Sequence, residues 1–378
     1  MNGALARAGL YAGAFLGPFG AGITVAMLPE LGSSFGVSPG TASLSVTSYF
    51  LPFAAVMLFS GALGERWGRR RTVVVGYAGY VLASLVCVLA PTFTLFLAGR
   101  ALQGVANAFT TPLLLAAVGA AVPGNRLGRA LGWFGSLQAA GQTSAPLVGG
   151  VAAEADWRLA FGGVAVVAGA LAVAGIPDDP AGGARRESLV AALRQAVRPD
   201  VVRIGAVAAL GWGCLTGLSF MVALRLEEWF AIGAGPRGLV LTAAGVAGLL
   251  TARLVGGAVD RIGRRRSVLI GAVAGAFVVV AVGTLPGVGM VALAWAVGGV
   301  ATQMLLVGVN ALVLGSALGG GAVSVVQALR FGGGALSPVA FTPLYHADPL
   351  AGFLVPAALL AGAVPAVLPR DPGPALSR

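Results

Sequence analysis

Long apolar runs recur along the whole chain, and they constrain its fold more than any other feature of the sequence. A helix needs about 20 mostly apolar residues to cross the hydrocarbon core of a bilayer. Hydrophobic residues make up 57% of the 378 residues and charged residues only 10%, far below the roughly 25% of a soluble domain. Because the runs are continuously apolar, they favour helices over the alternating strands of a membrane barrel. The sequence therefore predicts an all-α membrane protein with twelve transmembrane helices. The predicted spans are residues 9–29, 42–63, 72–90, 93–117, 130–153, 158–177, 201–224, 237–258, 267–286, 289–315, 322–345 and 349–368.

All 24 basic residues are arginines, and their distribution predicts the topology. If the N-terminus is cytoplasmic, eighteen arginines lie in cytoplasmic segments, and only Arg158 and Arg237 lie on the outer side. Cytoplasmic loops carry an excess of Lys and Arg, so this bias predicts a multi-pass protein of the cytoplasmic (inner) membrane with both termini cytoplasmic. The net charge of +11 then reflects topology and requires no nucleic-acid partner. The eighteen are Arg7, Arg66, Arg69, Arg70, Arg71, Arg126, Arg129, Arg185, Arg186, Arg194, Arg198, Arg203, Arg261, Arg264, Arg265, Arg266, Arg370 and Arg378.

Covalent chemistry has little support in the sequence. Cys87 and Cys214 lie inside predicted spans without metal-ligand spacing around them, and His346 is the only histidine. No phosphate-binding loop and no nucleophile–base pattern stands out. The sequence therefore predicts a protein that is not an enzyme and that has no cofactor and no metal site.

An internal repeat divides the chain into two halves. A Gly- and Arg-containing loop after the second predicted span recurs after the eighth at an offset of 260 − 65 = 195 residues. This repeat predicts a six-helix bundle over residues 1–177 and a second one over 201–378, pseudo-symmetric to the first. Residues 178–200 are predicted to form a cytoplasmic linker with a short amphipathic helix. The paired loop residues are Gly61, Glu65, Arg66, Gly68 and Arg69 in the first copy and Gly256, Asp260, Arg261, Gly263 and Arg264 in the second.

The two loops resemble the G-x-x-x-[D/E]-R-x-G-R-R signature of the major facilitator superfamily, with Glu65 where that family usually has Asp. Arg100, Gln103 and Gly104 are similar to the family's fourth-span motif R-x-x-Q-G. In the fifth predicted span, a further run resembles the antiporter motif of drug and metabolite exporters, with Ala145 in place of a glycine. Its matching residues are Gly141, Pro146, Gly149 and Gly150.

The resemblance implies that the repeated loops act as conformational switches and that the two bundles rock by alternating access. It implies export of a small drug-like or metabolite solute in exchange for protons, in the twelve-span drug/metabolite:proton antiporter branch. A facilitator or importer of the same fold is an alternative, and a non-transporting membrane receptor is an alternative from another class. We expect a monomer whose partners are the lipid bilayer, the small-molecule substrate and protons.

Polar residues inside the spans are the candidates for a substrate cavity, because polar side chains in a membrane face protein or water rather than lipid. Arg100, Gln103 and Asn107 share one face of the fourth predicted span. They are predicted to line a central cavity, and the alternative is that they only bond neighbouring helices. The other predicted cavity residues are Gln138, Gln142, Gln303, Asn310, Gln327, Arg330 and Tyr49, with Trp212 and Phe331 as further aromatic surface.

Proton coupling usually needs a titratable group at membrane depth, but the middle of every predicted span lacks Asp, Glu and His. The nearest carboxylates are Glu30, at the outer end of the first span, and Glu227 and Glu228, at that of the seventh. These three are the predicted proton-coupling candidates. Arg225 lies three residues before Glu228, so an ion pair along one helix is an equally good explanation for Glu228.

Overall fold

The computed structural model describes residues 3–122, 124–177, 198–314 and 320–369, and within them every regular element is helical and no strand occurs. The predicted linker 178–200 lies outside the described residues except for 198–200. In the first half of the chain the α-helices are α1 (Gly3–Gly22), α2 (Leu28–Phe35), α3 (Pro39–Ala42), α4 (Leu44–Trp67), α5 (Arg69–Leu89), α6 (Phe93–Ala108), α7 (Thr111–Ala121), α8 (Gly124–Ala155) and α9 (Arg158–Ala174). In the second half they are α10 (Pro199–Gly213), α11 (Ser219–Glu228), α12 (Ala234–Ile262), α13 (Arg264–Thr284), α14 (Val288–Leu314), α15 (Gly320–Ala347), α16 (Pro349–Ala358) and α17 (Val364–Val367).

Nine stretches of the described chain are helical, long and apolar enough to cross a membrane. Each overlaps one of the predicted spans. The remaining predicted spans are also helical, but α9 has only 17 residues, and the long helices α8 and α15 are not among the nine. The membrane-spanning helical fold is therefore confirmed, whereas the count of twelve spans stays a prediction.

Corresponding helices of the two halves pack in the same way. In the first half α1 packs on α8, α4 on α6, and α5 on α6 and α9. In the second half α10 packs on α15, α12 on α14, and α13 on α14 and α16. Exposed large apolar side chains cover α5, α9 and α13, as expected for helices that face lipid. Examples are Leu82, Val166 and Phe277.

Close helix crossings repeat at nearly the offset of the loop repeat. A Cβ on Gly104 would collide with the carbonyl oxygen of Tyr49, and a Cβ on Gly299 would collide with that of Ala244. Both pairs are separated by the same offset, since 299 − 104 = 195 and 244 − 49 = 195. Gly141 and Gly333, which are 333 − 141 = 192 residues apart, lie against the carbonyl oxygens of Phe15 and Ala209 in the same manner. Glycine at these crossings lets two backbones approach more closely than any side chain would allow.

The predicted first and seventh spans are interrupted helices. A short 3₁₀ turn, Val25–Met27, separates α1 from α2, and another, Thr216–Leu218, separates α10 from α11. Backbone groups freed at such interruptions must find partners inside the protein, because lipid offers none. The interruptions therefore create sites where side chains bond to main-chain atoms.

Two pairs of helices join the halves: α4 packs along α15, and α8 packs along α12. Along α4 the contacts include the hydroxyl of Thr47, which donates to the carbonyl of Ala335 at 2.7 Å, and the hydroxyls of Ser43 and Thr342, 3.3 Å apart. Along α8, Gly150 lies against the carbonyl of Ala234. These contacts lie in the middle of the helices and at one of their ends. The halves therefore meet at that end, which also carries Glu30 and which we call the Glu30 end.

Candidate functional site

An ion pair between the halves closes the Glu30 end. Arg237, at the start of α12, is fully buried, and its Nη2 donates to both carboxylate oxygens of Glu30 at 2.6 and 2.7 Å. Its Nε donates to the carbonyl of Ala26 at 2.7 Å, and its Nη1 donates to that of Ile232 at 3.2 Å. The Glu30 side chain keeps 29% of its surface exposed. The guanidinium thus holds α2, the first interruption and α12 together.

Main-chain contacts extend this closure. The Oε1 of Glu154, near the end of α8, accepts a hydrogen bond from the main-chain nitrogen of Gly235 at 3.1 Å. Gly238 lies against the carbonyl of Pro146 one turn deeper. A wide vestibule opens outside the closure, lined among others by Glu30, Asp156 and Glu227. Sequence reasoning missed the Glu30–Arg237 pair, since no pattern links residues 207 positions apart.

The residues that resemble the antiporter motif form the contact surface of α8. Gly141 and Gly149 face the carbonyls of Phe15 and Ile23 on the first interrupted helix. Pro146 and Gly150 face α12 in the other half, as described above. Ala145 is fully buried, and its Cβ would meet a Cβ on Gly22 at only 3.1 Å. The alanine that departs from the family pattern is therefore accommodated by a glycine opposite it.

The repeated loops lie at the opposite end of the molecule, which we call the arginine-rich end. Gly68 joins α4 to α5 with φ 89° and ψ 120°, and Gly263 joins α12 to α13 with φ 89° and ψ 151°. Only glycine adopts this region without strain. The side chains of Arg66, Asp260 and Arg261 are exposed, Arg69 is buried, and the space around Gly61 and Gly256 is open. The Glu65 side chain lies outside the described atoms.

Arg100 is fully buried in the first half without a carboxylate partner among the described residues. Its Nη1 donates to the carbonyl of Gly20 at 2.9 Å and to Oε1 of Gln103 at 2.7 Å. Its Nη2 and Nε reach the carbonyls of Ala21 at 3.3 Å and Ser45 at 3.4 Å. Gly20 and Ala21 end α1, where the helix dipole places partial negative charge. The end of α1, just before the interruption, thus supplies the carbonyl acceptors that offset the positive charge of Arg100.

The rest of the stripe extends the same network. The Nε2 of Gln103 donates to the hydroxyl of Ser84 at 2.8 Å. The Oδ1 of Asn107 accepts from the hydroxyls of Thr110 and Thr111 at 3.1 and 2.9 Å. The Tyr49 ring lies 4.5 Å from the Arg100 guanidinium carbon. All four predicted cavity residues of this cluster are buried, and these contacts favour the alternative that they bond neighbouring helices.

Trp295 occupies the matching position in the second half. Its Nε1 donates to the carbonyl of Leu241 at 3.2 Å, as Nε of Arg100 donates to that of Ser45. The offsets are 295 − 100 = 195 and 241 − 45 = 196. The duplicated framework therefore keeps one helix-to-helix hydrogen bond at this position in each half, with a charged donor in the first half and a neutral donor in the second.

A narrow cleft in the second half collects three of the other predicted cavity residues. It is lined by Asn310 from α14, Gln327 and Arg330 from α15, and Trp212 from α10, among others. Its free space holds about one water molecule. The guanidinium carbon of Arg330 lies 4.5 Å from the Trp212 ring and 4.4 Å from the Phe331 ring. Phe331 in turn stacks on Phe50 of the first half at 5.8 Å.

The energetic balance at Arg330 differs from that at Arg100. A charged residue at membrane depth costs at least about 2.5–3.5 kcal/mol, and a hydrogen bond to a charged group returns about 1.5–3 kcal/mol. Arg100 forms four such bonds. Arg330 has two ring contacts, each contributing about 0.5–2 kcal/mol, and its buried Nε has no hydrogen-bond partner among the described residues.

The remaining predicted site residues lie apart from these clusters. Gln138 is half-buried and Gln142 is exposed on α8, while Nε2 of Gln303 reaches the carbonyl of Gly248 at 3.4 Å. Glu228 accepts a hydrogen bond from the hydroxyl of Tyr345 at 2.7 Å. Arg225 donates to the carbonyl of Leu285 at 3.0 Å rather than to Glu228. The described residues hold no group of three or more His, Cys, Asp or Glu side chains suited to a metal ion.

Comparison with known proteins places this geometry in context. A model described as the Major Facilitator Superfamily matches residues 10–252. The drug efflux pump JefA of Mycobacterium tuberculosis is 34% identical over 136 residues, which cover 35% of this chain and 27% of the relative. The puromycin resistance protein pur8 of Streptomyces alboniger is 39% identical over 135 residues, which cover 35% of this chain and 26% of the relative. The matched stretch thus spans about a quarter of each curated relative.

A solved structure shares the fold over almost the whole chain. The crystal structure of a D-xylose–proton symporter superposes with a TM-score of 0.76 at 15% sequence identity, covering 97% of this chain and 99% of that one. At this identity the likeness concerns the fold alone.

Proposed function

The chain belongs to the Major Facilitator Superfamily, and from that membership we propose that it exports a small drug-like or metabolite solute by alternating access, in exchange for protons. Members of this family are membrane transporters rather than enzymes. Relatives that match part of the chain are named as a drug efflux pump and a puromycin resistance protein. These names support the export of a drug-like solute.

The observation that carries the proposal is the closure between the halves at the Glu30 end. The Glu30–Arg237 pair and the glycine contacts of α8 with α12 join the two halves there, beside the contacts of α4 with α15. Alternating access requires such a closure to form and break while each half keeps its internal packing. An ion pair and glycine–carbonyl approaches suit this requirement, because each such contact can break and form again without a change inside either half.

Proton exchange needs a carboxylate whose surroundings change with the conformation. Among the three predicted candidates, Glu30 meets this condition, because its partner Arg237 belongs to the other half. Glu228 is bonded to Tyr345 within its own half, and Glu227 lines the vestibule. We therefore assign the coupling role to Glu30. Transfer of a proton to Glu30 would remove the charge that holds Arg237, which would link proton exchange to the opening of this end.

Flux measurements on the purified chain in proteoliposomes test the proposal. We expect that at least one solute of a panel of drug-like anions, cations and neutral compounds enters the vesicles in a way that depends on an imposed pH gradient and stops when an ionophore dissipates it. In the cell, the arginine distribution predicts that the Glu30 end faces outward. Absence of flux for a broad panel of drug-like solutes would instead favour a receptor.

An uncoupled facilitator is the second candidate, because the middle of each predicted span lacks Asp, Glu and His. The same assay separates the two functions. A facilitator equilibrates its substrate without a pH gradient, whereas an exchanger accumulates it against its own gradient.

A further inference from the structure

We infer that the cleft around Arg330 is a subsite for the acidic group of the transported solute, which is accordingly an amphipathic anion with a single carboxylate or similar acid. This inference rests on the proposed transport function and names the substrate class. It starts from Arg330, whose buried Nε lacks a hydrogen-bond partner among the described residues.

The protein itself offers no acid to this cation. The residues that line the cleft include no Asp and no Glu. Every acidic residue of the chain lies at the end of a predicted span or outside the spans. Because the fold supplies no acidic partner here, a bound solute can provide the counter-charge for Arg330.

Arg100 provides an internal comparison for Arg330. Both arginines lie inside predicted spans and touch aromatic rings. Arg100 is bonded to three main-chain carbonyls and to Gln103, so its donors are occupied by the fold. Arg330 instead contacts two aromatic rings, and its Nε has no hydrogen-bond partner among the described residues. An anion binds a guanidinium through such N–H donors.

The shape and lining of the cleft fit an acidic head group. Its free space matches one water-sized group, which is about the size of one carboxylate oxygen. Asn310 and Gln327 add amide donors beside Arg330. Leu305, Leu306 and Val309 form an apolar wall suited to the first carbons of a hydrocarbon body. A positive charge with amide donors and an apolar wall selects an amphipathic anion over a cation.

The position of the cleft connects binding to the movement of the halves. Phe331, one of the two rings under Arg330, also packs edge-on against Phe53 at 4.9 Å and stacks on Phe50, both on α4 of the first half. An anion that draws the Arg330 guanidinium away from Phe331 would alter this inter-half aromatic contact. Binding of the solute would thereby act on the contact of Phe331 with Phe50 and Phe53, and contacts between the halves must change during transport.

Equilibrium binding to the purified full-length chain tests the inference with three probes that share one ring system. These are naphthalene-2-carboxylate, the neutral naphthalene-2-carboxamide and the cationic naphthalen-2-ylmethylammonium. We expect the carboxylate to bind about ten- to a hundredfold more tightly than the amide, the range of a hydrogen bond to a charged group. The variant Arg330→Gln should remove this preference, and Arg330→Lys should retain part of it because it keeps the charge.

Arg203→Gln is the matched control, because it removes one exposed positive charge outside the cleft and should leave the preference unchanged. Equal binding of the three probes, a preference that survives in Arg330→Gln, or failure of all three to bind would overturn the inference. Ethidium flux in the same preparation separates this result from the proposed function. Flux of the cation without any preference for the carboxylate would leave transport standing and reject the anion subsite.

Discussion

At the residue scale, the buried guanidiniums of Arg237 and Arg100 and the half-buried one of Arg330 show three ways of holding a charge inside the molecule. Arg237 is neutralised by the carboxylate of Glu30, and Arg100 is bonded to carbonyls at the end of α1. Arg330 is held by aromatic faces. Sequence spacing identified Arg100 and Arg330 as polar residues at depth but treated them alike. The two arginines differ in their surroundings, which distant helices provide. These surroundings distinguish Arg100, which bonds neighbouring helices, from Arg330, which we infer binds a ligand.

The variant Glu30→Gln should weaken the closure at the Glu30 end. It leaves the fully buried Arg237 without a negative partner, although the amide oxygen still accepts one hydrogen bond. Because Glu30 is partly exposed, we expect a loss of about 1–2 kcal/mol, or about a 5–30-fold lower ratio of closed to open molecules. The rate at which an impermeant maleimide labels Ala234→Cys, in a chain lacking Cys87 and Cys214, measures this ratio.

Asp156→Asn serves as the control for Glu30→Gln. Asp156 lies at the same end and pairs with Arg158 at 3.6 Å, but both side chains are more than a third exposed. Such pairs contribute about 0–1 kcal/mol, so labelling of Ala234→Cys should stay at the wild-type rate. Equal rates in Glu30→Gln and in the wild type would reject the ion pair as an element of the closure.

At the element scale, the two halves share their turns as well as their helices. The hydroxyls of Thr72 and Ser267 donate to the carbonyls of Gly68 and Gly263 at 2.9 and 2.8 Å, again 195 residues apart. The sequence repeat predicted that these loops are related, and the family resemblance implied that they act as switches. Their conformation shows why glycine occurs at this position in both copies: one residue reverses the chain between two long helices with a positive φ.

Gly68→Ala and Gly263→Ala should each destabilise the protein by about 1–3 kcal/mol, the cost of a non-glycine residue in this backbone region. Thermal unfolding in detergent measures the effect as a lower midpoint temperature. Gly257→Ala is the control, because a Cβ at Gly257 meets open space and its helical backbone carries no positive φ. It should be neutral or slightly stabilising, since alanine is the better helix former. Equal midpoint temperatures for all three variants would show that the two turns accommodate alanine without a loss of stability.

At the scale of the whole molecule, the length of the apolar runs in the sequence predicted where the helices lie but did not predict where they are interrupted. The third predicted span, 72–90, corresponds to Arg69–Leu89, whereas the first, 9–29, is broken by the turn at Val25–Met27. Hydropathy averages over about 20 residues and cannot detect a break that keeps the same composition. Pairings between halves, such as Glu30 with Arg237, depend on packing that no local pattern records. Family resemblance supplied the predicted arrangement in two bundles, and the family match confirms the membership.

Locking the Glu30 end shut should stop transport altogether, because alternating access requires both ends to open in turn. Ser43 on the first half and Thr342 on the second have hydroxyl oxygens 3.3 Å apart, which places their side chains within reach of a disulfide. In a chain lacking Cys87 and Cys214, oxidation of Ser43→Cys with Thr342→Cys should abolish flux in proteoliposomes. Reduction should restore flux, and each single variant should remain insensitive to the oxidant. Undiminished flux through the cross-linked protein would mean that the halves need not separate at this end, and alternating access about this closure would have to be abandoned.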